Sequence, residues 1–322
     1  MHLIHGLFSQ FLAIAYLCTM NIGNKLERTG SAGWLSHVVA LTVIMIWGGT
    51  FVNTRLLINR GISPEEIFVL RSALAYVCLW FISPKKLRCN TWKDEAIMVL
   101  LGIFGSSLYF LTENYAIKLT VVNDVSFIVC TAPLVTVILA LLFLKSVKAS
   151  VPLILGSVLA LAGVALVIFN GHFVLHLDPL GDLLALAAAT SWAIYSLVMK
   201  NFSAHYPPVF ITRKVFFYGL VTIAPVFHVH PWQFDFADLL IPEVGLNLLY
   251  LSVVASFVCF AAWGWVISKL GALRASNYIY FNPVTTVIMS ALFLNEHLTT
   301  IGLIGSAMIL AGVFVANKAK GI

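Results

Sequence analysis

The chain has 322 residues, of which 61% are hydrophobic and only 10% charged, against roughly 25% charged in an ordinary soluble domain. A chain this apolar cannot cover itself with polar surface, which excludes a soluble globular protein and makes the lipid bilayer its solvent. The net charge of +6 then reflects topology, and no feature points to a nucleic-acid partner.

In chain order, residues 1 to 35 read as a leader. The stretch 6 to 18 is apolar but lacks the basic segment and small-residue cleavage site of a signal peptide. It is either an extra helix entering from outside or an upstream extension of a natural start at Met20, and we favour the second. A hydrocarbon core of about 30 Å needs ~20 apolar residues per helix. That window predicts ten spans, near 36 to 57, 64 to 82, 96 to 118, 121 to 144, 151 to 169, 180 to 200, 209 to 227, 244 to 268, 272 to 294 and 300 to 317. Gly61 with Pro64, Pro84, Pro152, Gly171 with Pro179, Pro207 with Pro208, Pro231 with Pro242, and Gly271 supply the breaks.

With both termini in the cytoplasm, every Lys and Arg lies on or near the inner side except Arg55, Arg60, Arg71 and Lys118. The outer loops 170 to 180 and 228 to 243 contain no Lys or Arg, as the positive-inside rule requires. This places the chain as a multi-pass protein of the plasma membrane, a bacterial inner membrane, with no soluble domain inserted.

The two halves repeat. "APLVTVILALLFL" (132 to 144) aligns with "NPVTTVIMSALFL" (282 to 294), and "LGSVLALAGV" (155 to 164) with "IGSAMILAGV" (304 to 313), an offset of about 150. Upstream, Gly105, Ser106, Phe110, Ile117 and Ser126 meet Ala255, Ser256, Phe260, Ile267 and Ser276, and Trp47 meets Trp192. Each half, 36 to 170 and 178 to 318, holds five spans. Five is odd, so the second copy enters from the opposite side. The expected fold is an all-α membrane protein of ten transmembrane helices in two inverted-topology repeats, a construction many secondary transporters use.

"WGGTFV" (47 to 52), "SPEEIFVLR" (63 to 71) and the Ala-Pro and Asn-Pro elements followed by "LFL" resemble the EamA-like family of the drug/metabolite transporter superfamily, over nearly the whole chain after residue 36. The resemblance implies a ten-helix transporter exporting small metabolites, often amino acids or similar compounds. In the second copy "SWAIYS" (191 to 196) replaces "IWGGTF", so roles do not transfer one to one.

Charges within spans are rare and usually paired or functional. Arg71 lies seven residues past Pro64 and Glu113 five before Lys118, which puts them about 10 and 8 Å in from the outer face at ~1.5 Å per residue. Two readings stand: a structural salt bridge between them, or a substrate or proton site using one or both. Gly102, Gly105, Ser106, Tyr109 and Glu113 form one helical stripe, matched by Ser252, Ala255, Ser256, Cys259 and Trp263. Trp47, Trp192, Tyr195, Trp265 and Tyr280 are candidate aromatic walls, though packing explains many such residues. Asn114, Asn277 and Asn282 offer neutral polar groups, and Pro133 and Pro283 each remove a backbone donor. Gly156, Ala160, Gly163, Gly305 and Gly312 read as seams for close helix contact.

The sequence contains no motif for a metal, a cofactor or ATP. The five cysteines form no Cys-x-x-Cys pair and read as small core groups. The loop histidines His172, His176, His228, His230 and His297 read as solvated. The expected partners are the bilayer, a small-molecule substrate and, by way of Glu113, a proton; the sequence leaves the oligomeric state open. A passive channel is the alternative function, and an intramembrane enzyme, for which no nucleophile and base stand out, a more distant one.

Overall fold

The computed structural model describes residues 32–83, 88–120, 122–144, 150–169, 178–285 and 300–318. The leader up to residue 31, with both readings of its start, lies outside them, as does the end of the ninth expected span. All regular structure among the described residues is helical. Helix α1 (Ala32–Asn59) turns at Gly61, whose φ of 88° only glycine adopts without strain. Helix α2 (Pro64–Ile82) follows, opened by a capping box in which Ser63 and Glu66 satisfy each other's backbone N–H groups.

Helix α3 runs Trp92–Leu119 and contains a π-helical segment, Ile103–Ser107. The fourth expected span is two helices, α4 (Val122–Val129) and α5 (Ala132–Phe143). Pro133 therefore starts a helix, where its missing N–H is harmless, and does not kink one. Helices α6 (Val151–Phe169), α7 (Pro179–Phe202) and α8 (Pro208–Ile223) follow. Helix α9 (Pro242–Leu270) carries the second π segment, Tyr250–Val258. The ninth expected span begins as a short helix, α10 (Ala272–Ser276), and a 3₁₀ turn, Asn277–Phe281. Helix α11 (Thr300–Asn317) ends the described chain.

Six of the described stretches are long and apolar enough to cross a membrane, Trp34–Asn59, Trp92–Leu119, Asp124–Phe143, Pro179–Phe202, Pro208–His228 and Pro242–Leu270. Large apolar side chains such as Phe81, Leu142, Phe143 and Phe314 point outward from the bundle, as helices do when lipid is the solvent. The chain is a multi-pass membrane protein.

The repeat is visible in the backbone. Both π segments sit at matching positions of the two halves, and irregular backbone precedes both Pro133 and Pro283. Each π segment packs against the opposite half: α2 on that of α9, and α8 on that of α3. A Cβ on Gly219 of α8 would fall 2.2 Å from Ser106 Oγ, so α8 presses directly on the first π segment. The glycine seams join α6 to α11, where a Cβ on Gly156 would lie 2.3 Å from the Ala316 nitrogen and one on Gly312 2.5 Å from that of Ala160.

Candidate functional site

A cavity of about 30 Å³ sits at the centre of the bundle, room for one or two waters. Its walls come in pairs related by the repeat: Trp47 with Trp192, Phe110 with Phe260, Val129 with Ile279, and Ala132 with Asn282. The cavity thus lies where the two halves meet. The discontinuities after α4 and after α10 both border it, through Val129 and Ala132 on one side and Ile279 and Asn282 on the other. Gly48 lets α1 come this close, because a Cβ there would be 3.1 Å from the Asn282 carbonyl.

The symmetry ends at the polar groups. Arg71, Tyr109 and Glu113 line the cavity and all come from the first half; the counterparts of Tyr109 and Glu113 are Cys259 and Trp263. Arg71 is 2% exposed. Its Nε donates to Ser256 Oγ at 2.9 Å, and its guanidinium carbon lies 4.1 Å from the centre of the Phe110 ring, a cation–π contact. Glu113 is buried and accepts the Tyr109 hydroxyl at 2.6 Å, one turn away on the same helix. Arg71 and Glu113 do not bond to each other: the ion pairs among the described residues are Arg60 with Glu243 and Lys214 with Glu95. The structural salt bridge that their matching depths suggested is not made: Arg71 is turned to Ser256 and Glu113 to Tyr109.

Among the aromatic candidates, Trp47 and Trp192 meet edge to face at 5.3 Å. Tyr109 packs on Trp192 at 5.0 Å, and Phe260 lies 5.4 Å from Trp47. Trp263 closes the cluster from outside the cavity, 5.3 Å from Trp47. Tyr195, 5.2 Å from Trp192, is seated on Gly105, where a Cβ would strike its ring at 2.3 Å. Asn114 is turned away and donates to the Pro64 carbonyl at 3.0 Å. Asn277 bonds Asn317 at 3.0 Å, and Tyr280 is buried outside the cavity. Of the residues singled out in the sequence, the cavity therefore gathers Arg71, Tyr109, Glu113, Trp47, Trp192 and Asn282. It adds Thr50, Phe51, Phe110, Val129, Ala132, Phe260 and Ile279; Thr50 and Phe51 lie in the "WGGTFV" segment, Ala132 opens the Ala-Pro element, and Phe110 and Phe260 were paired by the repeat alignment.

Away from the cavity, both ends of the bundle are tied between the halves. At the Pro64 end, Glu66 Oε1 accepts from Gln233 N at 2.6 Å and Phe234 N at 2.7 Å, and Asn53 bonds Asn247. At the Glu95 end, Lys214 and Tyr218 both donate to Glu95, Tyr206 donates to Asp94 at 2.7 Å, and Arg213 donates to the Ser83 carbonyl. Beside this network, burial pushes the Cys89 thiol up to about 12, with the Glu95 carboxylate adding to the effect. It stays protonated at neutral pH. Among the described residues no group of three or more His, Cys, Asp or Glu could hold a metal ion.

The sequence profile of the EamA-like transporter family matches the chain twice, over residues 34–169 and 179–318. A "Probable amino-acid metabolite efflux pump" of Escherichia coli (strain K12) is 26% identical over 289 residues, covering 86% of this chain and 93% of that protein. A "Probable terminal-alkyne amino-acid exporter" of Streptantibioticus cattleyicolor is 24% identical over 284 residues, 87% of this chain and 92% of the other. An "Uncharacterized transporter" of Archaeoglobus fulgidus is 26% identical over 287 residues, 88% and 98% of the two chains. A solved crystal structure shares the fold with a TM-score of 0.66 at 18% identity, covering 87% of this chain and 95% of that one.

Proposed function

This chain belongs to the EamA-like transporter family, and from that premise we propose that it is a secondary exporter of small amino-acid-like zwitterions. It works by alternating access in the inner membrane of a bacterium, which it spans ten times with both termini in the cytoplasm. One observation carries this reading: a cavity between the two repeats that holds one cationic and one carboxylic side chain, not bonded to each other, within aromatic walls. A guanidinium matches a carboxylate geometrically and electrostatically. A carboxyl group with a neighbouring phenol receives an ammonium, and indole faces attract the same cation. Arg71 and Glu113 thus receive the two ends of a zwitterion, and Trp47, Trp192, Phe110 and Phe260 its apolar part. Glu113 also carries the coupling proton when the amine leaves. The names of the Escherichia coli and Streptantibioticus relatives support an amino-acid-like cargo.

At about 30 Å³ the cavity is contracted well below what a metabolite fills, so the halves must part to admit one, which favours a carrier over a standing pore. The test is counterflow in reconstituted vesicles. Vesicles preloaded with unlabelled L-phenylalanine are expected to accumulate the labelled compound transiently and saturably; flux that neither saturates nor shows counterflow would establish a channel.

A further inference from the structure

The cavity is lined by two tryptophans at equivalent positions of the repeats, and their indole nitrogens are in different states. Trp47 Nε1 donates to the Ala255 carbonyl at 2.9 Å, an acceptor in the π segment of α9. Its hydrogen bond is spent on holding α1 against α9. Trp192 is 4% exposed, lines the same cavity, and its Nε1 has no acceptor among the described residues. An indole nitrogen only donates, and a buried donor left without a partner is unfavourable, so such groups call for an explanation.

The surroundings hold the indole in this state. Its neighbour Ser191 donates to the Phe104 carbonyl at 2.8 Å, which pins this turn of α7 to the π segment of α3. The rings around it belong to Trp47, Tyr109, Tyr195, Phe260 and Trp263; the Tyr109 hydroxyl is committed to Glu113. Thr50, Glu113 and Asn282 bring oxygens to the same cavity, yet none of them bonds the Trp192 Nε1, and the transported molecule can bring an oxygen that does.

We propose that the Trp192 indole N–H is the specificity-determining donor of this cavity, bonding a carboxylate oxygen of the transported molecule that Arg71 also faces, while Trp47 has a structural bond instead. The inference rests on the transport reading above and deepens it: compounds that lack the oxygen leave the donor unpaired and are disfavoured, as in other sites built around a buried polar group.

The test uses the full-length protein in lipid nanodiscs, with Trp192→Phe and, as a shape-preserving alternative, Trp192 exchanged for β-(3-benzothienyl)alanine. The probes are L-phenylalanine and 2-phenylethylamine, which lacks the carboxylate. Affinity for L-phenylalanine is expected to fall about tenfold or more, and that for 2-phenylethylamine to change less than about twofold. Without ligand, the benzothienyl exchange at Trp192 leaves the melting temperature unchanged or raises it, whereas the same exchange at Trp47 breaks an existing bond and lowers it. Equal losses for both probes, no loss for L-phenylalanine, or a ligand-free destabilisation at Trp192 matching that at Trp47 overturns the role of Trp192 alone. If the unaltered protein binds neither probe, the proposed substrate class fails and this inference falls with it.

Discussion

Arg71 and Glu113 reach one cavity from different helices with different partners, and that decides how each behaves when removed. Glu113→Gln keeps an acceptor for the Tyr109 hydroxyl, so the variant is expected to insert and melt within a few degrees of the parent, a shift of roughly 1 kcal/mol or less, yet to lose counterflow. Arg71→Met strips Ser256 Oγ of its donor and is expected to destabilise by about 1–3 kcal/mol as well as abolish transport. Were the two groups one structural bridge, changing both would largely restore stability and activity. Facing one cavity without a direct bond, they should couple only in part, so the double variant is expected to recover little stability and to stay inactive; recovered counterflow in it would refute the assignment. The sequence singled out both groups as charges within spans, and they do line one cavity. It could not reveal their partners: Ser256 lies 185 residues from Arg71 and arrives only because the two halves press α2 on α9. Asn114 and Asn277 look equally polar in the sequence, yet acceptors on other helices, the Pro64 carbonyl and Asn317 Oδ1, take up their amides, and neither lines the cavity.

At the scale of elements, the repeat and the glycine seams were readable, because sequence identity and small-residue spacing survive in the letters. The π segments were not. Gly102, Gly105 and Ser106 fit an α-helical stripe of steps three and four, and the extra residue of a π turn leaves no mark in composition. The split of the fourth span was half visible, in that Pro133 signals a disturbance but does not say whether a helix kinks or restarts. The seam between α6 and α11 gives a prediction in which two effects compete. Gly156→Ala gains up to ~1 kcal/mol of helix propensity. Against this, the added Cβ would lie 2.3 Å from the Ala316 nitrogen and 2.6 Å from the Gly312 carbonyl, backbone atoms that cannot move without separating the helices. Overpacking of this kind destabilises by about 1–3 kcal/mol, so a net fall in melting temperature is expected. Leu142→Ala, at a side chain 71% exposed to the surroundings, should shift it far less, within about 0.5 kcal/mol. Similar melting curves for the two variants would show that α6 and α11 are not in tight contact.

For the whole molecule, the ties at the two ends define what alternating access must break. Each tie joins a first-half residue to a second-half residue: Glu66, Arg60 and Asn53 to the 233–247 region at one end, and Ser83, Asp94 and Glu95 to the 206–218 region at the other. With both sets made, the cavity is contracted to about 30 Å³, and a carrier must release one set while keeping the other. In the proposed orientation, with both termini in the cytoplasm, the Pro64 end faces outward. An impermeant thiol reagent added to intact cells is therefore expected to reach a cysteine introduced by Asp235→Cys and not one introduced by Lys93→Cys, both positions being exposed on the protein; the reverse pattern would invert the orientation. The stronger prediction follows from rigidity. In a background with the native cysteines replaced by alanine, the pair Asn53→Cys and Asn247→Cys joined by a short bis-maleimide holds the outer end closed, and Glu95→Cys with Lys214→Cys joined in the same way holds the inner end. Either link alone should abolish counterflow, because a carrier must open each end once per cycle, and each single-cysteine variant given the same reagent should remain active. A pore that conducts without relative movement of the halves would instead tolerate both links, so counterflow persisting in either cross-linked form would refute alternating access for this protein.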